Sequence, residues 1–344
     1  GSRAANGVIV ITTRQGKLGK PVINFKASVG ITPSFATDNY EAASTEQQVE
    51  LYYENFWNAG KLYKGMTDEE ASTSALAQLN NRFNKHGYTF SAPDHTVNSL
   101  TIGGERAGQY FDWESELFRT AVYQAYDISV SGGTEASNYY TSFSYTNDLG
   151  RSVINEYDRI TGRMNFGQKI GRFIELNTNI NVSTSSQEGF NDTRALGNNY
   201  FLQSRNLLWG LYWPTDIATG LPWTARFGSY AYNPLYYNNE WENWSKTQRV
   251  FATETVTIKI LPGLNLRSIF SFDNTQTFDH LYYSALHFNG SSLIGSVTEN
   301  STKINELLSS STLNYNKTFG GVHNVSALAG WEVGKNNTDY MRST

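Results

Sequence analysis

Alternation of apolar and polar residues along successive segments is the feature of this sequence that most constrains its fold. Between 174 and 183 the even positions are Ile, Leu, Thr, Ile and Val, whereas the odd positions are Glu, three Asn and Ser. The same two-residue period recurs near 160–170, 250–260 and 325–333. Since successive side chains of a β-strand point to opposite faces, each segment is predicted to be a strand with one apolar and one polar face.

The predicted connections alternate between tight turns and long loops. Tight turns are predicted at the glycine-containing segments 132–136, 171–172, 262–263 and 320–321. The long loops are predicted at about 33–121, 185–246 and 274–302. Short turns at one end of the strands and long loops at the other are typical of an outer-membrane β-barrel.

Alternation alone equally fits a soluble β-sandwich or jelly roll. Two details favour the barrel. The polar face is rich in Asn, Arg, Lys and Glu, as the water-filled interior of a barrel requires. Tyr and Trp, part of an aromatic content of 14%, cluster near the predicted strand ends, where membrane proteins carry aromatic girdles. The predicted fold class is therefore all-β, a partial transmembrane antiparallel β-barrel of about nine strands of a larger barrel.

The predicted loop 33–121 lacks the two-residue period. Apolar residues recur at helical spacing across 46–58, and Thr67 with Glu70 forms a capping box before a second helical segment, 71–83. We therefore expect a helical insertion at the long-loop end, which is the extracellular end of a barrel of this kind.

Composition and motifs argue against several other classes of protein. The 27 basic and 31 acidic residues leave no positively charged footprint for nucleic acid. The sequence has no cysteine, and its five histidines show no metal-ligand spacing, so we predict loop or surface histidines, no metal site and no cofactor. A glycosidase needs two carboxylates at a set separation, and the predicted strands offer few: Glu175, Glu254, Glu306 and Glu332. We expect no catalytic residues and no enzyme activity.

Four short strings of the sequence resemble one family. The first, Gly1, Ser2, Arg3, Ala4, Ala5, Asn6, Gly7 and Val8 continued by Ile9–Thr13, is similar to the string that closes the plug domain of SusC/RagA-like TonB-dependent transporters. The others are Asp112–Trp113 with Phe118–Ala121, Ile128–Glu135, and Tyr157–Arg159. Such barrels have roughly 22 strands around a plugged interior. The resemblance therefore implies that 1–16 is the C-terminal end of the plug and 21–344 the first part of the barrel.

The resemblance also implies a function. We expect TonB-dependent import of a nutrient across the bacterial outer membrane, with an oligosaccharide as the expected substrate and a peptide next. The implied partners are a SusD-like surface lipoprotein, outer-membrane lipid, and the TonB system, which would act through a segment absent from this chain. The alternative is a secreted β-rich module that binds carbohydrate or acts as an adhesin.

The predicted loop 185–246 is the richest candidate for binding. It holds a dense set of aromatic residues with polar neighbours, of which we select nine as ligand- or partner-binding candidates: Trp209, Trp213, Trp223, Tyr232, Tyr236, Trp241, Trp244, Arg226 and Asp216. Sugars stack their C–H faces on aromatic rings, while polar side chains bind the hydroxyls. The same rings also suit a small core that orders the loop, or a surface for a partner protein. The sequence leaves these three roles open.

Overall fold

The computed structural model describes residues 14–33, 43–189, 209–228, 231–290, 292 and 294–344. In chain order the strands are β1 (Gly19–Thr32), β2 (Thr89–Ser91), β3 (Thr101–Gly103), β4 (Ala121–Gly133), β5 (Ser137–Leu149), β6 (Glu156–Ile170), β7 (Ile174–Glu188), β8 (Trp241–Leu261), β9 (Leu264–Tyr283), β10 (Ser296–Phe319) and β11 (His323–Ser343). The helices are α1 (Thr45–Lys64), α2 (Asp68–Phe83), α3 (Trp113–Leu117) and α4 (Pro234–Tyr237). None of these helices is long and apolar enough to cross a membrane.

Nine of the strands form one antiparallel sheet in the order β1-β4-β5-β6-β7-β8-β9-β10-β11. Each strand pairs with the next long strand along the chain, so the sheet is a continuous meander. β2 and β3 form a separate small hairpin inside the insertion between β1 and β4. In the described residues β1 and β11 are the two edges, and they do not pair with each other. The predicted fold class, an open part of a larger antiparallel barrel, is confirmed.

The register joins the apolar sides of separate strands into one face. Residues paired across antiparallel strands lie on the same face of a sheet. Met164, Ile180 and Ala252 form one such row across β6, β7 and β8, and Phe272 and Leu307 continue it into β9 and β10. We call this side of the sheet the apolar face.

The opposite side of the sheet, the polar face, carries ion pairs and hydrogen bonds between strands. Lys259 of β8 binds Glu175 of β7 at 2.7 Å, and the Arg249 guanidinium binds both carboxylate oxygens of Asp273 on β9. At its N-terminal side the described chain also meets this face, because the Asn165 amide donates to the carbonyl of Arg14 at 2.5 Å. The polar face therefore looks towards the region from which the chain enters the sheet.

Turn and loop lengths follow the predicted alternation, with two changes of boundary. Tight turns join β4 to β5, β6 to β7, β8 to β9 and β10 to β11, and Gly263, with a φ of 87°, takes the left-handed conformation that a turn residue without Cβ adopts freely. The insertion between β1 and β4 matches the predicted loop 33–121. The predicted loop 185–246 is shorter, because β7 runs to Glu188 and β8 begins at Trp241.

The predicted loop 274–302 is mostly strand, and only 284–295 connects β9 to β10. Its polar residues suggested a loop, yet they lie in paired strands, where Asn274 donates to Asn305 at 2.6 Å. Strands of a membrane barrel continue beyond the apolar band into water, so polar residues there do not end a strand. The assignment of 1–16 to a plug and of 21–344 to a barrel remains a prediction.

Both predicted helices of the insertion are present with their caps. The Ser44 hydroxyl accepts from the backbone N–H of Gln47 at the start of α1, and Thr67 does the same for Glu70 at the start of α2. In each case the side chain three residues on accepts from the backbone N–H of the cap residue, which completes a capping box. α1 ends at Lys64 and is capped by Gly65, whose φ of 63° is the usual conformation of a glycine C-cap.

Candidate functional site

The long-loop end of the sheet carries a compact unit, the loop cap, built from 43–120, 209–228 and 231–240. Its core contains the largest fully buried side chains of the described residues, among them Trp113, Tyr53, Tyr88, Phe83 and Phe227. These side chains come from both long loops, so the two loops fold as one body around a shared core.

Hydrogen bonds to backbone carbonyls of the second loop fix it against the first. The Trp113 indole donates to the carbonyl of Tyr212 at 2.8 Å, and the backbone N–H of Phe111 donates to Gly210 at 2.8 Å. The Tyr212 ring lies 5.1 Å from that of Phe83 at the end of α2. A long loop that would otherwise need its own core therefore uses the core of the helical insertion.

Three of the predicted binding residues pack against this core. Trp209 lies against Tyr52 of α1, with ring centroids 5.4 Å apart. Trp213 donates from its indole to the Tyr88 hydroxyl at 2.9 Å. Trp223 is stacked on Phe227, with an angle of 12° between the ring planes. For these three tryptophans the structure shows the packing that the small-core alternative requires.

A second group of candidates lies nearer the surface. Arg226 is exposed and donates from Nε to the Tyr232 hydroxyl at 2.6 Å. The Tyr232 ring is stacked on Phe288 of the β9–β10 loop at 3.9 Å, and Tyr236 meets Tyr237 edge to face at 4.9 Å. This surface cluster combines a cation with aromatic edges and a hydroxyl, groups that suit a sugar or a peptide.

Trp241 and Trp244 belong to β8 rather than to a loop. Trp241 is stacked near Tyr283 at 6.4 Å, while Trp244 lies parallel to His280 at 4.9 Å with the Lys246 ammonium 4.4 Å from its ring. A cavity of about 340 Å³ at the rim includes both tryptophans in its lining. The two rings thus mark the rim of the sheet, apart from the loop cap core.

Asp216 has a local structural role. Its carboxylate accepts from the backbone N–H groups of Ala218 at 2.9 Å and Thr219 at 3.1 Å, which closes a turn at the tip of a small hairpin. These backbone hydrogen bonds lower the pKa of Asp216 below its ordinary value. The structure does not bring Asp216 together with the surface cluster around Tyr232.

A larger cavity opens on the polar face at the long-loop end, with a volume of about 770 Å³. Every strand from β5 to β11 contributes to its lining, through Asp148, Tyr157, Gln187, Ser245, Asp279, Asn300 and Arg342 among others. Because seven neighbouring strands line this cavity, the polar face is concave at this end of the sheet. Its lining offers mainly hydrogen-bonding groups of both charges.

Two of the five histidines, which were predicted in loops or at the surface, lie in the connections between the long strands but are buried there. His86 is fully buried in the loop cap, and His287 is 4% exposed among Tyr237, Tyr283 and Phe288. Burial lowers the pKa of each to about 4, because the charged imidazolium loses its hydration. Neither position has a sequence pattern that separates it from an exposed loop histidine.

The predicted plug motif, residues 1–8, lies outside the described residues. Its role as a plug end stays a prediction.

Comparison with known proteins finds sequence relatives and solved structures, whereas no family model matches. The chain is 24% identical over 337 residues to TonB-dependent receptor P39 of Formosa agariphila, which covers 97% of this chain and 28% of that protein. It is 26% identical over 192 residues to TonB-dependent receptor SusC of Bacteroides thetaiotaomicron, which covers 56% of this chain and 14% of that protein. These relatives are named as receptors rather than enzymes.

Two solved states of the RagAB peptide importer share the fold. The open-open state matches with a TM-score of 0.74 at 21% identity, and the closed-closed state with 0.72 at 22% identity. Both matches cover 100% of this chain, but only 37% and 38% of the respective solved chains. The chain thus spans well under half the length of the proteins that it resembles.

Proposed function

The chain is a SusC/RagA-like TonB-dependent receptor sequence, and from that premise we propose that it forms part of the barrel wall through which a nutrient enters the cell. TonB-dependent receptors of this type are β-barrel proteins of the bacterial outer membrane. The observation that carries the proposal is the division of the meander into a continuous apolar face and a polar face that is concave at the long-loop end. The wall of an import channel contacts lipid on its apolar face and water or the plug on its polar face.

The apolar face favours a membrane over the alternative of a secreted module. Large side chains on this face are well exposed, including Phe25 at 69% and Ile23 at 68% on β1. A soluble β-sandwich covers such a face with a second sheet. In the described residues no second large sheet lies there, so outer-membrane lipid is the proposed partner of this face.

The contact between Asn165 and Arg14 supports the proposed division into plug and barrel. A chain that leaves a plug inside a barrel must reach the wall from the interior, and the described chain first touches the polar face. We therefore assign 1–16 to the end of the plug and 21–344 to the barrel with its loops.

For the substrate we propose an oligosaccharide, with a peptide as the second candidate. The 770 Å³ cavity and the surface cluster of Arg226, Tyr232 and Tyr236 offer hydroxyl, amide and aromatic groups, which suit the polar and C–H faces of sugars. The peptide alternative draws support from the solved relatives, which are described as a peptide importer.

We propose a SusD-like surface lipoprotein and the TonB system as partners. The loop cap stands at the end of the barrel where a surface lipoprotein would meet it. Leu51, Leu62 and Tyr63 of α1 are 61%, 75% and 86% exposed, which is unusual for apolar side chains on a folded helix and suits contact with another protein.

Uptake by the intact receptor tests this proposal. Deleting tonB, or the receptor gene, in the source bacterium should abolish uptake of the labelled nutrient, and restoring the gene should recover it. Purified oligosaccharides and peptides supplied in parallel decide between the two substrate classes. Unchanged uptake of every tested nutrient after either deletion would reject the import function.

Arg226→Ala combined with Tyr232→Ala tests the surface cluster. If the cluster binds substrate, the half-saturating nutrient concentration should rise several-fold while the amount of receptor in the membrane is unchanged. Lys317→Ala, at the opposite end of the sheet in β10, is the control that should leave uptake as it is. An unchanged half-saturating concentration in the double variant would remove this cluster from the substrate path.

A further inference from the structure

Two distant segments of the loop cap are joined at the imidazole of His86. The backbone N–H of Trp213, in the segment 209–228, donates to His86 Nδ1 at 3.2 Å. Beside this bond, the backbone N–H of Ile217 donates to the carbonyl of Lys85 at 3.3 Å, and Arg106 donates to the carbonyl of His86 at 3.2 Å. The segment 209–228 thus meets the helical insertion around one side chain.

The bond from Trp213 requires a neutral ring. Nδ1 accepts a hydrogen bond only when it carries no proton, so the neutral ring must hold its proton on Nε2. His86 is fully buried, its ring lies 4.2 Å from that of Trp223, and Nε2 has no hydrogen-bond partner in the described residues. A proton added to Nδ1 would place an N–H against the N–H of Trp213 and a charge in this aromatic pocket.

The charged groups around His86 have opposite effects on its protonation. Arg106, which also lies over the Trp213 ring at 4.0 Å, disfavours the imidazolium, whereas Asp216 in the tip of the hairpin favours it. Tyr88 and Tyr212 also face the site and stay neutral, because burial raises the pKa of both, that of Tyr212 to about 12. Burial is the largest influence on His86 and Arg106 the second, and together they lower its pKa to about 4.

We propose that His86 is an acid-sensitive latch, whose neutral imidazole holds the segment 209–228 against the helical insertion and whose protonation releases it. Release would uncover the aromatic rings of Trp213 and Trp223, which the closed cap holds against its core. The latch concerns the loop cap alone, so it does not depend on the transport proposed above.

The direction of the pH effect follows from linkage. In the opened segment the His86 pKa returns to its ordinary value near 6.5, so the open state binds the proton more tightly than the closed state. The latch is fully closed above that value and weakens as the pH falls towards 4. Between these limits the opening equilibrium should rise about tenfold for each pH unit.

Hydrogen exchange on the full-length receptor in detergent tests the latch. Peptides from 209–228 are followed by mass spectrometry from pH 7 to pH 4, with exchange corrected for the intrinsic chemical rate. We expect corrected exchange in this segment to accelerate about tenfold per pH unit between pH 6 and 4.5, while peptides from β7 stay unchanged.

Three variants separate the latch from general acid loosening. His86→Gln keeps an acceptor but does not titrate, so its segment 209–228 should exchange at a pH-independent corrected rate. Arg106→Gln raises the closed-state pKa and should end the acceleration at a higher pH. His323→Gln, an exposed histidine at the short-turn end, should behave like the native protein.

Two results would overturn the proposal. One is a native segment that stays equally protected down to pH 4. The other is an acceleration in His86→Gln equal to that of the native receptor. If segment 209–228 of His86→Gln already exchanges rapidly at pH 7, the Arg106→Gln variant decides. An acceleration of exchange that ends in Arg106→Gln at the same pH as in the native receptor, or at a lower pH, is incompatible with a latch at His86.

Discussion

The sheet and the loop cap are stabilised by different interactions. In the loop cap, Tyr53, Phe83 and Trp113 are almost fully buried in a core of the kind that stabilises a small soluble domain. In the sheet, by contrast, the side chains of β7 are half-buried or exposed on both faces, and the strands are held by their backbone ladders. The cap therefore provides its own interior, whereas the sheet leaves both faces open, and under the proposed function lipid and the barrel interior cover them.

Loss of a central cap side chain should have the largest effect. Trp113→Ala removes a fully buried ring and the indole donor to Tyr212, so we expect the cap to lose about 3–5 kcal/mol. Hydrogen exchange of α1, α2 and 209–228 should increase strongly, while exchange of β6 to β8 stays slow.

Trp331→Ala is the matched control for that variant, because Trp331 of β11 is 58% exposed on the apolar face. It should leave cap exchange unchanged. Loosening of β6 to β8 in Trp113→Ala to the same extent as the cap would show that the two regions form one cooperative unit.

A charge on the apolar face should disturb the sheet and spare the cap. Ile180→Lys places an ammonium in the apolar face of β7, at a cost of about 2–4 kcal/mol if this face meets lipid at mid-depth. Asn181→Lys, the next residue, points to the polar face and should cost far less. We expect the first variant to reduce the amount of heat-resistant folded receptor in the membrane and the second to leave it unchanged. Equal loss in both variants would contradict the assignment of the two faces.

A helix-cap variant should give the smallest effect of the series. Thr67→Ala removes the hydroxyl that accepts from the backbone of Glu70, so the cap should lose about 1 kcal/mol. Thr67→Ser keeps the hydroxyl and should restore most of this stability. Exchange rates in α2 measure the effect, and a loss in Thr67→Ser as large as in Thr67→Ala would place the cause outside the capping box.

The sequence predicts the two regions unequally well. Strands such as β7 have a regular two-residue period and glycine-containing turns, both of which are local signals, so their positions and faces are predictable. The long-loop ends of β9 and β10 are not, because Asp279 and Asn300 look like loop residues until their pairing is known. Local pattern decides a strand only where one of its faces is apolar.

The loop cap is less predictable because its contacts are long-range. The capping box at Thr67 is predicted from the sequence and is confirmed. Trp113 pairs with Tyr212 and His86 with Trp213 across 99 and 127 positions of the chain, with no local pattern to indicate either contact. For the same reason the sequence left open whether Trp209, Trp213 and Trp223 bind a ligand, a partner or their own core.

A single-cysteine scan along β7 tests the central claim, the two-faced wall, most directly. The chain contains no cysteine, so each introduced thiol is the only one that this segment contributes. In the full-length receptor in membranes, cysteines at 175, 177, 179 and 181 should react with a water-soluble maleimide, whereas those at 174, 176, 180 and 182 should resist it. A fluorophore attached at 174, 176, 180 or 182 should be quenched by a lipid-soluble quencher. Equal reaction at even and odd positions would contradict a wall with lipid on one face and the barrel interior on the other.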